Sequence, residues 1–516
     1  MANDKTLVRL DGGAPALTDV VAVARSGALV QLGEPARERM AHSASLIDGF
    51  VESGQPVYGV TTGFGSLASR FIPAERTAEL QVALVRSHAA GMGDPVEREV
   101  VRAMQFLRAR SLAMGFSGAR PEVVELQLGL LNAGITPVVR EHGSLGASGD
   151  LAPLAHCALA LIGEGAVWGP DGTAVSAADA LAAAGLAPLT LRAKEGLALI
   201  NGTDGILGML CLAIHDLGEL ARLADLTAAM TVEGLLGTDR PFAADLQALR
   251  PQLGQAASAR NMMRLLAGSA IVASHREGDT RVQDAYSLRC TPQVHGAALD
   301  TIAHARTIAE RELASAIDNP MILPDGRVES CGNFHGAPVA FVCDFLRIAA
   351  SELCAISERR TDRMLDVARS HGLPPFLSPD AGVNSGMMIA HYTQASMAME
   401  AQRLAAPAST QSLPTSAMQE DHVSNGWAAA RALRRSVVAV RRVLAVELVC
   451  AAAAIDLRGL PPAAGTGAAV TVLRERVAGP GPDRWLSPDL RAAEFLLADG
   501  SLLAAVESVI GELEVL

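Results

Sequence analysis

From residue 427 to residue 457 the chain carries neither glycine nor proline, and Leu433, Val437, Val440, Leu444 and Leu448 recur at steps of three and four residues. Such a stripe lies on one face of an α-helix, and at 1.5 Å per residue the segment reaches roughly 45 Å. Helices of this length with alanine-rich sides pack into bundles and often build oligomers. Val342, Leu346, Ala349, Leu353 and Ile356 make a second stripe. A third helix is expected over 296–317, closed by Asp318-Asn319-Pro320, a helix-stop signal. Ala, Leu, Arg and Glu, all strong helix formers, dominate throughout. The strand signal is weak, with 6–10 and 56–60 expected as short strands. Residues 461–481, rich in Gly, Pro and Ala, are expected to form a loop or hinge. The expected fold class is mainly α. Residues 1–200 form a smaller N-terminal region holding most of the glycine-rich irregular segments, and 201–516 form a long-helix bundle and C-terminal helical region.

Composition narrows the function classes. Half of the 516 residues are hydrophobic and 19% are charged, which does not suit a disordered chain. The 55 acidic and 43 basic residues give a net charge of −12, a poor match to nucleic acid. The first residues, Met-Ala-Asn-Asp-Lys-Thr, lack the basic start and apolar run of a secretory signal. Apolar runs are interrupted: Glu447 breaks the run over 443–455, and His215 and Asp216 end the one that starts at Gly205. No membrane span is therefore expected. Seven scattered cysteines with no Cys-x-x-Cys pair argue against a disulfide framework or zinc ribbon, and suit a reducing cytoplasm. No His or Cys spacing suggests a catalytic metal.

Four segments break the helical pattern: Tyr58 to Gly65, Gly143 to Asp150, Gln283 to Arg289, and Gln419 to His422. Two of the three tyrosines, Tyr58 and Tyr286, sit in them. Gly63 and Gly65 do not lead into a phosphate-binding Gly-Lys-Ser/Thr, and the scarcity of strands argues against a dinucleotide fold. Ser148 fits only half of a hydrolase elbow, because Asp150 occupies the position of the last glycine. Another chemistry suits Ala147-Ser148-Gly149. In a tight enough turn the Gly149 nitrogen can attack the Ala147 carbonyl carbon, and loss of water from the ring and from Ser148 leaves an exocyclic methylidene electrophile. The attacker must lack a side chain, residue 147 must be small, and Gly146 adds slack.

These segments resemble the aromatic amino-acid ammonia-lyase and aminomutase family. The resemblance rests on Tyr-Gly-Val-Thr-Thr-Gly-Phe-Gly at 58–65, Val-Arg-Ser-His-Ala-Ala-Gly at 85–91, and Gly-Ser-Leu-Gly-Ala-Ser-Gly-Asp-Leu-Ala-Pro-Leu at 143–154. It extends through Asn201-Gly202-Thr203, 283–289, Gly332-Asn333-Phe334-His335 and Gln419-Glu420-Asp421-His422. The similarity runs from about Leu17 to the C-terminal region and is strongest to the histidine lyases of the family. It implies a carbon–nitrogen lyase carrying 4-methylidene-imidazol-5-one (MIO) made from Ala147, Ser148 and Gly149, with no external cofactor. The N-terminal region would bear the MIO. The implied assembly is a cytoplasmic homotetramer whose active sites combine residues of three subunits, so isolated monomers would be inactive.

The resemblance also implies individual roles. Tyr58 matches the proposed base, a phenol that neighbours must acidify to act near neutrality. Tyr286 matches a second tyrosine beside the electrophile. Asn201 matches the residue that hydrogen-bonds the MIO carbonyl oxygen. A helix opening at Asp150 and Leu151 and running to about Ile162 would favour negative charge on the group. Arg289 matches the carboxylate clamp, Gln283 and Phe334 match lining residues, and His88 and Glu420 match the pair facing a substrate imidazole. Read alone, Tyr58 is a buried ring, Arg289 and Glu420 are solvated charges, and His88 is a core histidine. The chain departs from the pattern at Ala401-Gln402, where many histidine lyases carry lysine, and at Asn425, where many carry methionine. The implied reaction is L-histidine to trans-urocanate and ammonia. The alternatives are a same-family lyase or aminomutase acting on tyrosine, phenylalanine or a modified histidine, and, in another class, a non-catalytic helical assembly homologue.

Overall fold

The computed structural model describes residues 6–67, 69–146 and 148–516. The fold is mainly α. The three expected long helices run over Gly426–Arg458, Thr291–Leu313 and Ala337–Leu365, and two more span Asp204–Gly234 and Met388–Leu404. Among the described residues no helix is long and apolar enough to cross a membrane. Strands are short. The short strand expected over 6–10 is present as Leu7–Leu10, and it pairs in parallel with Leu29–Leu32.

By backbone contacts the chain divides into two units. The first comprises Met1–His215, Arg306–Asp344 and Pro407–Arg431; the second comprises Asp216–Ala305, Phe345–Ala406 and Ala432–Leu516.

In the first unit the Arg98–Ala113 helix is buried on nearly every face, which leaves Arg108 and Arg110 in the interior. Their guanidinium groups satisfy backbone carbonyls that no water can reach. Arg108 donates to Ile317 O and Asn201 O, each at 2.8 Å, and pairs with Asp204 at 3.2 Å. Arg110 donates to Ser315 O at 2.5 Å. The two arginines thereby tie the loop that follows residue 313 to the segment at Asn201.

In the second unit a buried carboxylate organises the helices. Glu447 accepts from Thr227 at 2.9 Å, Thr231 at 3.0 Å, Ser357 at 2.6 Å and both Nε and Nη2 of Arg360. Arg360 also donates to His295 Nε2 at 3.3 Å, and His295 Nδ1 meets Asp225 at 2.8 Å. Arg360, Glu447, His295 and Asp225 are all buried.

Two expectations fail. Residues 461–481 are not a loop: a helix spans Ala464–Arg474 and packs on the Ser501–Ile510 helix. Its Gly465 is there for close approach, since a Cβ would come within 3.1 Å of Ile510. Residues 56–60 are a turn rather than a strand, because the Thr61 hydroxyl captures the local backbone: it accepts from Val57 N at 2.8 Å and donates to Gln55 O at 2.6 Å.

Candidate active site

The turn closed by Thr61 places Tyr58 at the wall of a cavity of about 510 Å³ in the first unit. Gly59 turns the chain with φ +68°, and a Cβ there would meet Leu197 at 2.5 Å. Tyr58 Oη accepts from Gly65 N at 2.9 Å, and the Phe64 ring stands edge-on to the phenol. Burial raises the Tyr58 pKa above its ordinary value, the Gly65 amide opposes this, and the Glu420 carboxylate adds to the rise. Burial first, and the Glu420 carboxylate after it, thus push the phenol away from the acidity expected of a base near neutrality.

Across the cavity lies the segment from Ser144 to Asp150; Ala147 falls outside the described residues. Gly149 has φ +74°, and a Cβ would stand 2.1 Å from Gly202 O. Asp150 N donates to Gly202 O at 2.7 Å, which pins the segment to the Asn201-Gly202 turn of chain. The Asp150 carboxylate is completely buried; it accepts from Ser144 at 2.9 Å and from Gly205 N and Ile206 N at 2.8 and 2.9 Å, at the start of the long helix. Burial raises it to about 7 against those hydrogen bonds. The helix expected here runs over Leu151–Leu161. Ser148 Oγ donates to Glu420 Oε1 at 3.2 Å, and Glu420 Oε2 accepts from Thr415 at 2.9 Å.

The helix Thr77–His88 brings His88 to the same cavity. Its Nδ1 lies 2.9 Å from Leu84 O, so that nitrogen carries the proton and Nε2 keeps the lone pair. Burial lowers its pKa, partly opposed by the Leu84 bond and Glu420. Asn201 also lines the cavity, and its Nδ2 donates to Asp318 Oδ1 at 3.2 Å and Asn319 O at 3.0 Å.

Tyr58, Ser148, His88, Asn201 and Glu420 therefore meet around one space within the first unit. Phe334 sits half-buried in a turn of the same unit but does not line it. Gln283, Tyr286 and Arg289 belong to the second unit and do not line it either. Tyr286 is 71% exposed, its neighbour Val282 is 99% exposed, and the Arg289 guanidinium lies over the Tyr286 ring at 4.5 Å. Ala401 is buried, Gln402 is exposed, and Asn425 N donates to Leu145 O at 2.8 Å with φ +50°. Three residues escaped the sequence reading. Arg70 lines the cavity, and Lys194 and Asp318 form a buried pair behind Asn201. The only signal for the pair was Asp318-Asn319-Pro320, which reads as a helix stop.

This arrangement can position an amino acid between a phenol, a carboxylate and the Ser148-Gly149 backbone, and the chain as a whole is similar to known proteins. The model of the aromatic amino acid lyase family matches residues 16–475. A histidine ammonia-lyase of Streptomyces avermitilis is 59% identical over 498 residues, 96% of this chain and 97% of that protein. Among solved structures, a tyrosine aminomutase from Streptomyces globisporus superposes with a TM-score of 0.92 at 37% identity, over 98% of this chain and 99% of that one. A histidine ammonia-lyase from Trypanosoma cruzi does so with a TM-score of 0.90 at 38% identity, over 98% and 96%. The chain belongs to the aromatic amino acid lyase family.

Proposed function

We propose that the chain is a carbon–nitrogen lyase that converts L-histidine to trans-urocanate and ammonia. The observation that carries this reading is the convergence of Ser148, Tyr58, His88 and Glu420 on one cavity. The 59% identity to a protein named histidine ammonia-lyase supports the choice of substrate. Glu420 and the Nε2 lone pair of His88 are two acceptors suited to an imidazole that offers N–H. A site built this way can reject analogues lacking the N–H by ~10⁴–10⁵.

Ala147-Ser148-Gly149 is assigned as the source of MIO. The Gly149 nitrogen would bond to the Ala147 carbonyl carbon, whose oxygen leaves as one water, and the Ser148 hydroxyl leaves as a second. The surroundings fit such a group. Gly149 and Gly146 both have positive φ, and Gly202 O and Ser424 Oγ stand where a Cβ would lie, so each position calls for glycine. The group would supply an electrophile that draws electron density from the amino acid. The chain's own residues do the rest. Glu420 and His88 hold the imidazole, and Tyr58 takes the β-proton. A buried phenol facing a carboxylate needs a cation to become a base, and the substrate's ammonium or an arginine can bring one.

The reading includes a cytoplasmic homotetramer with shared sites. Among the described residues all seven cysteines are free, which suits a reducing compartment. The exposed Tyr286, with Arg289 stacked on it, suits a face completed by another copy, where the partner subunit's Arg289 would clamp the substrate carboxylate. Mixing inactive Tyr58→Phe and Arg289→Ala proteins, then dissociating and reassociating them, should restore part of the activity through sites that received both native residues. No recovery, with hybrid oligomers present by native mass, would leave each site within one chain.

The direct test is ultraviolet detection of urocanate from L-histidine, with L-tyrosine and L-phenylalanine as controls. Turnover of tyrosine alone, or a β-amino acid product, would move the reading to the aminomutase branch. Glu420→Gln sharpens it. Loss of the carboxylate is expected to lower kcat/KM for L-histidine by about 10²–10³-fold. Because Glu420 raises the Tyr58 pKa, the rising limb of the pH–rate profile should also move to lower pH in the variant. A profile that stays in place would remove Tyr58 as the group that titrates.

A further inference from the structure

Glu420 stands at the end of a strained loop. Ser416, Ala417 and Met418 follow one another at φ +51°, +52° and +70°, and none of them is glycine. Left-handed backbone is costly for residues with a side chain, and it persists where the surroundings hold it, most often at functional sites. Here an antiparallel bridge encloses the run: Thr415 N donates to Glu420 O at 2.9 Å, and Glu420 N donates to Thr415 O at 3.3 Å. The loop leans on the Tyr58 turn. A Cβ on Gly65 would stand 2.8 Å from Ser416 Oγ, and Gly65 N is the donor to Tyr58 Oη.

Two backbone hydrogen bonds already close this loop, so closure does not call for a third link between the same two residues. One is nonetheless made: Thr415 Oγ1 donates to Glu420 Oε2 at 2.9 Å. The other oxygen, Oε1, has Ser148 as its single donor among the described residues. Cyclisation as assigned above expels that hydroxyl. Ser148 and Glu420 both line the cavity, so the carboxylate would keep one oxygen on Thr415 and leave the other facing the cavity without a donor. A glutamate side chain has three torsions, and a donor held on one oxygen fixes where the second is presented. Threonine suits the task, because its hydroxyl carries a single hydrogen and its β-branch stiffens χ1.

We propose that Thr415 is a positioning residue that holds Glu420 Oε2 and thereby offers Oε1 to the N–H of the substrate's imidazole. This rests on the ammonia-lyase reading above, and it adds a second residue to the determinants of substrate choice.

A double-mutant cycle tests this. Thr415→Val keeps the β-branch and removes the hydroxyl, and Thr415→Ser keeps the hydroxyl. Three quantities are read in the full-length protein: kcat/KM for L-histidine, the intact mass, and the dissociation constant of trans-urocanate, a ligand with the imidazole and no amine. Thr415→Val is expected to keep the two-water mass deficit of MIO while kcat/KM falls about 10–100-fold and urocanate binds about 10-fold more weakly, since a misplacement of about 1 Å can cost ~10²-fold. Thr415→Ser should stay within about 3-fold of the parent, because the donor is still there. In a Glu420→Ala background Thr415→Val should change neither constant by more than about 2-fold, because the hydroxyl acts only through the carboxylate. A role confined to closing the loop would cost the same in both backgrounds, and that additive result overturns the proposal. Parental kcat/KM and urocanate affinity in Thr415→Val also overturn it, as does a serine variant as impaired as the valine one. Loss of the mass deficit in Thr415→Val would place the hydroxyl in MIO formation, and failure of that variant to fold would place it in loop closure; either result overturns the assignment. A parent protein that does not turn over L-histidine would instead sink the lyase reading itself.

Discussion

Ser148→Ala should leave the protein folded and lower turnover of L-histidine by at least about 10³-fold. The magnitude follows from what remains. A positioned base such as Tyr58 contributes about 10²–10⁴-fold, whereas enzymes as a class reach about 10⁶–10¹⁷-fold, so most of the acceleration must come from the electrophile. Alanine has no hydroxyl to expel, and the intact mass should therefore exceed that of the parent by the waters no longer lost, after allowing for the missing oxygen. The fold should tolerate the change. The Ser148 hydroxyl bonds Glu420 in the uncyclised chain, and the cyclised parent has already expelled it, so alanine removes no hydrogen bond that the parent keeps. Gly149→Ala should lose activity equally but also destabilise, since its Cβ would stand 2.1 Å from Gly202 O. Activity within tenfold of the parent in Ser148→Ala, or an unchanged mass deficit, would falsify the assignment of the electrophile to this serine.

What sequence could reveal divides along physical lines. The long helices were legible because a stripe at steps of three and four is a local property, and Gly426–Arg458 begins and ends within a residue of where its pattern does. Local chemistry can also mislead. The β-branched and aromatic residues around Tyr58 suggest a strand, yet one Thr61 hydroxyl with two hydrogen bonds makes a turn. Glycine and alanine at 461–481 suggest a loop, yet they allow one helix to lie close on another. Pairings between distant residues leave no local trace. Lys194 and Asp318 lie 124 residues apart, and Asp318 reads only as the end of a helix. The direction of the Tyr58 shift could not be read either, because it is set by how deeply the fold buries the phenol and, after that, by a carboxylate brought near from Glu420. Gly149 was different: the demand for a residue without a side chain came from chemistry, and in the structure Gly202 occupies the space where a Cβ would lie.

Glu447 is where sequence and structure diverge most, and where the largest loss of stability is expected. In the sequence it merely interrupts an apolar run. In the structure it is completely buried and accepts five hydrogen bonds, two of them from Arg360. Glu447→Leu would leave the Arg360 guanidinium buried without its counter-charge, and breaking such a pair typically costs about 3–5 kcal/mol. The hydroxyls that lose their acceptor are partly provided for, since Thr227 already reaches Ala224 O at 3.2 Å. Arg360→Met alone should cost a similar amount by stranding the carboxylate. Glu447→Leu/Arg360→Met together should cost only about 1–3 kcal/mol, mainly because His295 Nε2 then loses the Arg360 donor. Denaturant midpoints of the four proteins, parent included, check the ordering. If the double variant is as unstable as the sum of the singles, the charges are not compensating each other, and the pair contributes through packing alone.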